Sequence, residues 1–400
     1  MLRITGAVLT TVSAVLFLAG FFADLVGLHT NPYLGVVLFL ALPAVFVLGL
    51  VLFALGHWPA AWPRIDLANP THRTATALVL ILTAVNVVII SMASYRGVEY
   101  MDSVSFCGQV CHTPMQVEFI AHERGSHSNV KCIDCHAGPG ARSFVAAKVA
   151  GTRRVLAVLR GNYERPIVPE PSQLPAAADT CQQCHSNARF GGERITHVVE
   201  YADNEKNTRT ETKVKIDLAK VHTHMDKQIE FAATDKTRQT IPYVRVKNAD
   251  GSIREYRTKD ATPGAALRRL DCADCHNRPS HGIAPTADRA VNQAIAAGAI
   301  PVSLPFIHRE AVKALKAGKS AALRDFYRSA PQADVDRAVA AVNDIYRRNV
   351  FPAMNVTFGS YPNNIGHIDS AGCFRCHDDD HRSKDGRKIG QDCETCHTTE

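Results

Sequence analysis

Twelve cysteines fall in six pairs: Cys107/Cys111, Cys132/Cys135, Cys181/Cys184, Cys272/Cys275, Cys373/Cys376 and Cys393/Cys396. A histidine follows each second cysteine: His112, His136, His185, His276, His377 and His397. A Cys-x-x-Cys-His run is the attachment signature of c-type haem. Its two thiols form thioethers to the porphyrin, and its histidine ligates the iron from one face. Paired cysteines also build zinc sites, but zinc does not ask for a histidine directly after the second cysteine. Six such coincidences would have a chance on the order of one in a hundred million, so the spacing favours haem. No cysteine remains for a disulfide.

The first motif departs from the rule, because three residues separate Cys107 from Cys111. His112 and Met115 follow it at once, which keeps it an expected attachment site. Low-potential electron-transfer haems are bound by two histidines. Beyond the apolar N-terminal region stand nine further histidines: His122, His127, His197, His222, His224, His281, His308, His367 and His381. His281 closes the run Cys275-His-Asn-Arg-Pro-Ser-His, and His367 and His381 flank the fifth motif. These three, with His127 and His224, are the expected distal ligands. His127 is preferred to His122, one of the His222/His224 pair is expected to ligate, and His197 and His308 are read as plain surface or core histidines.

These residues must be carried by something. Three apolar runs, 4–23, 30–56 and 74–94, contain no charged residue, and each reaches the ~20 residues needed to span a bilayer. Arg3, Arg64 and Arg73 flank the cytoplasmic side and the short turn near 24–31 has no Lys or Arg, so the positive-inside rule puts residue 95 outside. Covalent haem attachment takes place on that side. The expected location is a bacterial inner membrane with the haem domain in the periplasm. A cleaved signal peptide is the competing reading of the first run, but its cleavage site is poor and the run is long. His29, His57 and His72 lie between the runs rather than inside them, which excludes haem held within the membrane by histidine pairs. Asn86, the strongly polar residue of the third run, reads as a helix–helix hydrogen-bonding group.

Past the first two motifs, 147–163 reads as a helix with a basic face (Lys148, Arg153, Arg154, Arg160), followed by a linker with Pro166, Pro169, Pro171 and Pro175. Residues 186–271 alternate as strands do: 195–199, 214–216, 229–232, and 243–247 with 253–256 around Asn-Ala-Asp-Gly, a hairpin signal. From Thr262 to about Arg348 the pattern is helical, with Pro263 in a first turn, Val335, Val339, Val342 and Tyr346 at helical spacing, and Pro352 as the stop. The expected fold is three N-terminal transmembrane helices plus a mainly α, haem-packed cytochrome c domain with a small β insert. The expected domains are a membrane anchor at 1–95, a tetrahaem domain at 96–285 with its insert at 186–271, and a helical segment with a dihaem module at 286–400.

The formal charge of +7 would suit nucleic acid or an anionic surface. Six haems carry roughly twelve propionates, which bring the loaded protein near neutrality, so no nucleic-acid partner is expected.

The Cys-Ile-Asp-Cys-His and Cys-His-Asn-Arg-Pro-Ser-His segments, from the third apolar run to about Ile283, resemble the NapC/NirT/NrfH family of membrane-anchored multihaem quinol dehydrogenases. The chain looks closest to the larger NapC-like cytochromes of metal-respiring bacteria. That resemblance implies a tetrahaem unit, Met115 as an iron ligand of haem one beside a bound quinol, His281 as a distal ligand, and Lys148 as a quinol-pocket residue. The chain departs from the family in the wider first motif, His-x-x-Met in place of His-x-Met, two extra spans, the β insert and haems five and six. The acid expected two turns after Lys148 is missing, since Arg154 occupies that region, and Glu99 or Asp102 could replace it.

The implied activity is oxidation of menaquinol from the membrane quinone pool, with electrons passed along the haems to periplasmic cytochromes or a reductase complex in anaerobic respiration. One rival is a relay subunit of a larger membrane complex without its own quinol site. Another, a terminal reductase, would need an open iron position, which the supply of histidines argues against. Denaturing mass spectrometry of the holoprotein should show six haem additions, and a mass with five would remove the Cys107–Cys111 pair from the attachment sites.

Overall fold

A charge-free apolar run can cross a bilayer only by satisfying its own backbone hydrogen bonds, and all three runs are helical. The computed structural model describes residues 1–25, 32–56, 66–168, 174–185, 191–248, 250–261 and 266–398. Arg64, Pro169, Pro171 and Pro263 lie outside the described residues. Two compact units divide at Met115/Gln116.

In the membrane unit, α1 (Leu2–Leu25) packs on a second span made of α2 (Pro32–Val36), a π-helical stretch (Val37–Ala41) and α3 (Leu42–Gly56). Gly6 and Gly49 sit where the two helices meet. A Cβ on Gly49 would lie 2.7 Å from the Thr10 backbone nitrogen, so only glycine permits this approach, as small residues generally do between membrane helices. The third span is α4 (Pro70–Met101), capped by Asn69, which accepts a hydrogen bond from the Thr71 amide at 2.9 Å. All three helices are long and apolar enough to span a membrane. Tyr100, near the end of α4, packs on Phe39 and Phe106. The first haem motif therefore groups with the anchor, and the unit boundary lies beyond residue 95.

The second unit begins in α5 (His112–Glu123), which runs through the boundary, and continues with α6 (Cys132–His136) and α7 (Ala141–Leu159). The helix expected from 147 starts earlier, because Gly140, at φ +87°, breaks the chain just before Ala141. After α8 (Cys181–Cys184), strands β1 (Glu193–Tyr201) and β2 (Arg209–Asp217) form an antiparallel hairpin. It is followed by α9 (Leu218–His222) and a 3-10 turn (Thr223–Asp226). A four-stranded antiparallel sheet of order β5-β4-β3-β6 comes next, from β3 (Gln228–Ala232), β4 (Tyr243–Lys247), β5 (Ile253–Arg257) and β6 (Arg268–Arg269). All the expected strands are present. The helical reading from Thr262 is displaced: β6 and the one-turn α10 (Cys272–Cys275) come first, and the helices proper start at α11.

Four helices, α11 (Ala287–Ala296), α12 (Ile307–Ala317), α13 (Ala322–Phe326) and α14 (Gln332–Asn349), enclose the main apolar core, with Val291, Ile307, Ala311 and Val335 fully buried. This core is joined to the β insert. Buried Asn207, in the β1–β2 turn at φ +48°, donates to the Val302 and Leu304 carbonyls (3.1 and 2.9 Å) and accepts from the His308 amide (3.1 Å). Asn292 on α11 accepts from the Tyr201 amide at 2.8 Å. Residues 286–400 thus share one unit with the insert. Asn207→Ala removes three buried hydrogen bonds and a residue suited to positive φ, and should cost about 2–4 kcal/mol. The check is the melting temperature of the holoprotein, and an unchanged value would contradict this account of the joint.

Candidate haem chain

The attachment motifs stand on single turns. Helices α6, α8 and α10 begin at the first cysteine, and the last two motifs lie on 3-10 turns, Gly372–Arg375 and Cys393–Thr395. In the two Cys-x-Asp-Cys-His motifs the aspartate folds back on its own turn. Asp134 accepts from the Lys131 amide (3.2 Å) and Asp274 from the Asp271 amide (2.8 Å), a capping interaction that satisfies an otherwise orphaned donor. The first motif is different. Cys107 lies in a π-helical turn, Phe106–Val110, followed by Cys111 and the start of α5. A π-turn holds one more residue than an α-turn, and the three-residue gap of this motif falls in it.

None of the twelve cysteines is in a disulfide. Burial is the first cause that raises the pKa values of Cys111, Cys135, Cys272, Cys275, Cys376 and Cys396, and for all of these but Cys111 a neighbouring thiol is a further one. Cys135 feels Cys181 and Cys184, and Cys272 feels Cys181. Cys275, pushed up to about 11, feels Cys373; Cys376, pushed up to about 12, feels Cys275; Cys396 feels Cys373. Motifs two to six are therefore spatial neighbours in chain order. Among the described residues no group of three or more His, Cys, Asp or Glu side chains converges as an ion site.

Two imidazoles bound to opposite faces of one iron, with Fe–N bonds of ~2 Å, put their ring centroids ~6 Å apart. Five motif histidines face a second histidine at that separation: His136–His281 at 6.1 Å, His185–His127 at 6.0 Å, His276–His222 at 6.3 Å, His377–His224 at 5.8 Å and His397–His367 at 6.0 Å. The residues present fit five haems held by two histidines each. The tautomers fit as well. The Nδ1 of His222, His224, His377 and His397 donates to the carbonyls of Leu218, Val221, Gly390 and Lys215 at 2.8, 2.7, 2.9 and 3.1 Å. That leaves the lone pair on Nε2, as a ligating histidine requires. Burial, ahead of neighbouring charges, pushes the pKa values of His136, His224 and His276 down, favouring the neutral form that binds iron.

His381 does not stand in such a pair. It is fully buried, its Nε2 donates to the Ile241 carbonyl at 2.6 Å and its Nδ1 meets Asp378 at 2.9 Å. Both nitrogens are engaged in hydrogen bonds, so the expected ligand is a structural residue of the fifth motif's loop. His222, which faces His276, is the histidine that sequence reasoning passed over, having taken one member of the His222/His224 pair. His122 also lies 6.4 Å from His281, but its Nε2 donates to the Val130 carbonyl at 2.9 Å. His197 pairs with Glu211 on the surface, and buried His308 pairs with Asp203 at 2.7 Å. At the first motif, His112 and Met115 occupy the same turn of α5. Residues three apart share a helix face, so the two cannot ligate opposite faces of one iron, and the expectation that both do is corrected to one of them. Lys148 lies on α7 with its ammonium 5.0 Å from the Phe144 ring centre. Glu99 accepts from Arg96 at 2.8 Å.

Motifs that each hold a haem by two thioethers, on a chain with three membrane helices, define a membrane-anchored c-type cytochrome that carries covalent haem and transfers electrons. The chain is 36% identical over 441 aligned positions, 99% of this chain and 87% of the relative, to the cytochrome c-type protein ImcH of Geobacter sulfurreducens. It belongs to that family of membrane-anchored cytochromes c, which bears out the resemblance. No family model matches the chain, and no solved structure matches it.

One histidine of these pairs has a carboxylate behind it. His281 Nδ1 lies 3.0 Å from Glu118, which Arg278 also contacts at 3.1 Å. Burial works against ionisation of Glu118, but the hydrogen bond from His281 and the charge of Arg278 hold its pKa below the ordinary value. An anionic partner makes an imidazole a stronger donor to iron. Glu118→Gln should raise the potential of one haem by about 60 mV, a tenfold change for one electron. Spectroelectrochemical titration reads this directly, and an unshifted titration would show that Glu118 does not tune the ligand.

Proposed function

We propose that this protein is a hexahaem quinol dehydrogenase of a bacterial inner membrane, with its haem domain in the periplasm. It oxidises menaquinol or a similar quinol at haem one and delivers electrons through haems two to six to periplasmic cytochromes or a reductase complex. The observation that carries this reading is the shared turn of His112 and Met115. It leaves one face of the first iron without a ligand from that helix, directly after the membrane span that ends at Met101. Haem c supplies reversible one-electron transfer; the chain must bind the quinol, receive its protons and space the irons.

Met115 is the proposed axial ligand at the first iron, in keeping with the family resemblance. The apolar side chains Phe144, Val145, Val149, Leu156 and Leu159 of α7 are exposed, which suits a helix that meets a lipid-soluble substrate. Lys148, on the same helix, would donate a hydrogen bond from Nζ to a quinol oxygen. The carboxylate of Glu99 or Asp102, at the end of α4, is the proposed proton acceptor. The chain-ordered neighbours among motifs two to six support a single electron path through the second unit.

Stopped-flow reduction of the oxidised protein by a menaquinol analogue tests this reading. Wild type should be reduced rapidly and Lys148→Ala roughly tenfold more slowly, the value of one charged hydrogen bond, while dithionite reduces both alike. A wild-type protein that ignores quinol and takes electrons from a co-purifying subunit would replace this reading with that of a relay.

A further inference from the structure

The β insert has no attachment motif of its own, yet it brings together two histidines that face two different motifs. The peptide order is Asp217, helix α9, then the 3-10 turn. Asp217 caps α9 by accepting from the Lys220 amide at 3.1 Å. This fixes the helix end at His222, whose Nδ1 donates one turn back to Leu218. The chain then tightens, and His224 donates from Nδ1 to Val221. The change from α to 3-10 winding between the two residues aims their rings at different partners. His222 lies parallel to His276, at 2° between planes, and His224 stands perpendicular to His377, at 89°.

We propose that His222 and His224 are both axial ligands, His222 to the iron attached at Cys272/Cys275 and His224 to the iron attached at Cys373/Cys376. One His-Thr-His turn then bridges two neighbouring c haems. A separate set of contacts brings the same two motifs together. Arg375, inside the fifth motif, donates to the Asp274 carbonyl inside the fourth at 2.8 Å and to the Arg238 carbonyl at 2.9 Å. Buried Asp274 is in turn ion-paired with Arg238 and Arg268. The two attachment turns are thus held side by side by hydrogen bonds in which neither bridging histidine takes part.

The same strand reaches the sixth motif. The Asp217 amide donates to the Cys396 carbonyl at 3.0 Å, and His397 pairs with Ile216 across a β-bridge. Strand β2 and the turn after it therefore touch the last three motifs. On this assignment the insert is the splice that joins haem four to haems five and six. The through-bond route between the two irons runs from imidazole to imidazole across Thr223.

The inference rests on haem attachment at motifs four and five and not on quinol oxidation, so a failed quinol assay leaves it standing. The experiment uses purified full-length holoprotein with His222→Ala, His224→Ala and the double substitution, read by electron paramagnetic resonance and by carbon monoxide binding after reduction. Each single variant should convert one low-spin haem to high-spin, and the double variant two, with haem content by mass unchanged and added imidazole restoring the low-spin signal. A single variant that stays low-spin, a double variant with one high-spin haem, or a high-spin signal that imidazole does not reverse overturns the bridge. If an alanine variant loses haem, His222→Met or His224→Met decides: the sulfur-to-iron charge-transfer band of a His/Met haem supports the assignment, and its absence overturns it.

Discussion

An iron anchored through a Cys-Cys-His turn has one face left, and the ring that fills it must come from elsewhere in the chain. That requirement organises the second unit. His136 faces His281 from beyond the fourth motif, His185 faces His127 from before the second, and His397 faces His367 from before the fifth. Each pair is a tie between distant segments. Helices of four or five residues such as α6, α8 and α10 are too short to persist alone; haems clasped by these pairs would hold them in place. An ordinary apolar core is confined largely to α11–α14, with smaller clusters around Phe351 and around Phe231.

Between the attachment turns lies a buried polar framework. Asp274 receives Arg238 and Arg268, Arg375 bonds the carbonyls beside them, and Glu118 binds both Arg278 and His281. Arg278 also lies 4.0 Å from the ring centre of Tyr361. Buried charges are costly unless paired and hydrogen-bonded, and here each is met by several directional partners. Such partners fix orientation more than they add stability. Orientation is what a haem chain needs, because a small rotation of an attachment turn would change the separation of neighbouring porphyrins.

The membrane unit meets a different constraint. Its helices gain nothing from hiding apolar surface from lipid, so close approach at Gly6, Gly49 and Gly97 gives their contacts. Among the described residues a π-helical segment occurs twice, at Val37–Ala41 and at Phe106–Val110. The second absorbs the extra residue of the first haem motif and passes directly into α5, so a departure in the sequence is also a local change of helical pitch.

Motif spacing determined the chemistry without any fold, because Cys-Cys-His attachment is local and completed within one turn. Apolar length determined the three spans for a similar reason: a bilayer fixes the number of residues needed to cross it. Alternation and Asn-Ala-Asp-Gly located the insert's strands. The partner across each iron was not legible, since it depends on where remote segments meet. His381, beside its motif, is taken up by Ile241 and Asp378, whereas His222, which lies 50 residues before the fourth motif, faces it. Likewise the sequence placed His112 and Met115 together at haem one, and only the helix through both showed that they share a face. Local covalent chemistry is written in adjacent residues; an axial pair is a contact across the fold, and only the tertiary structure decides which rings meet.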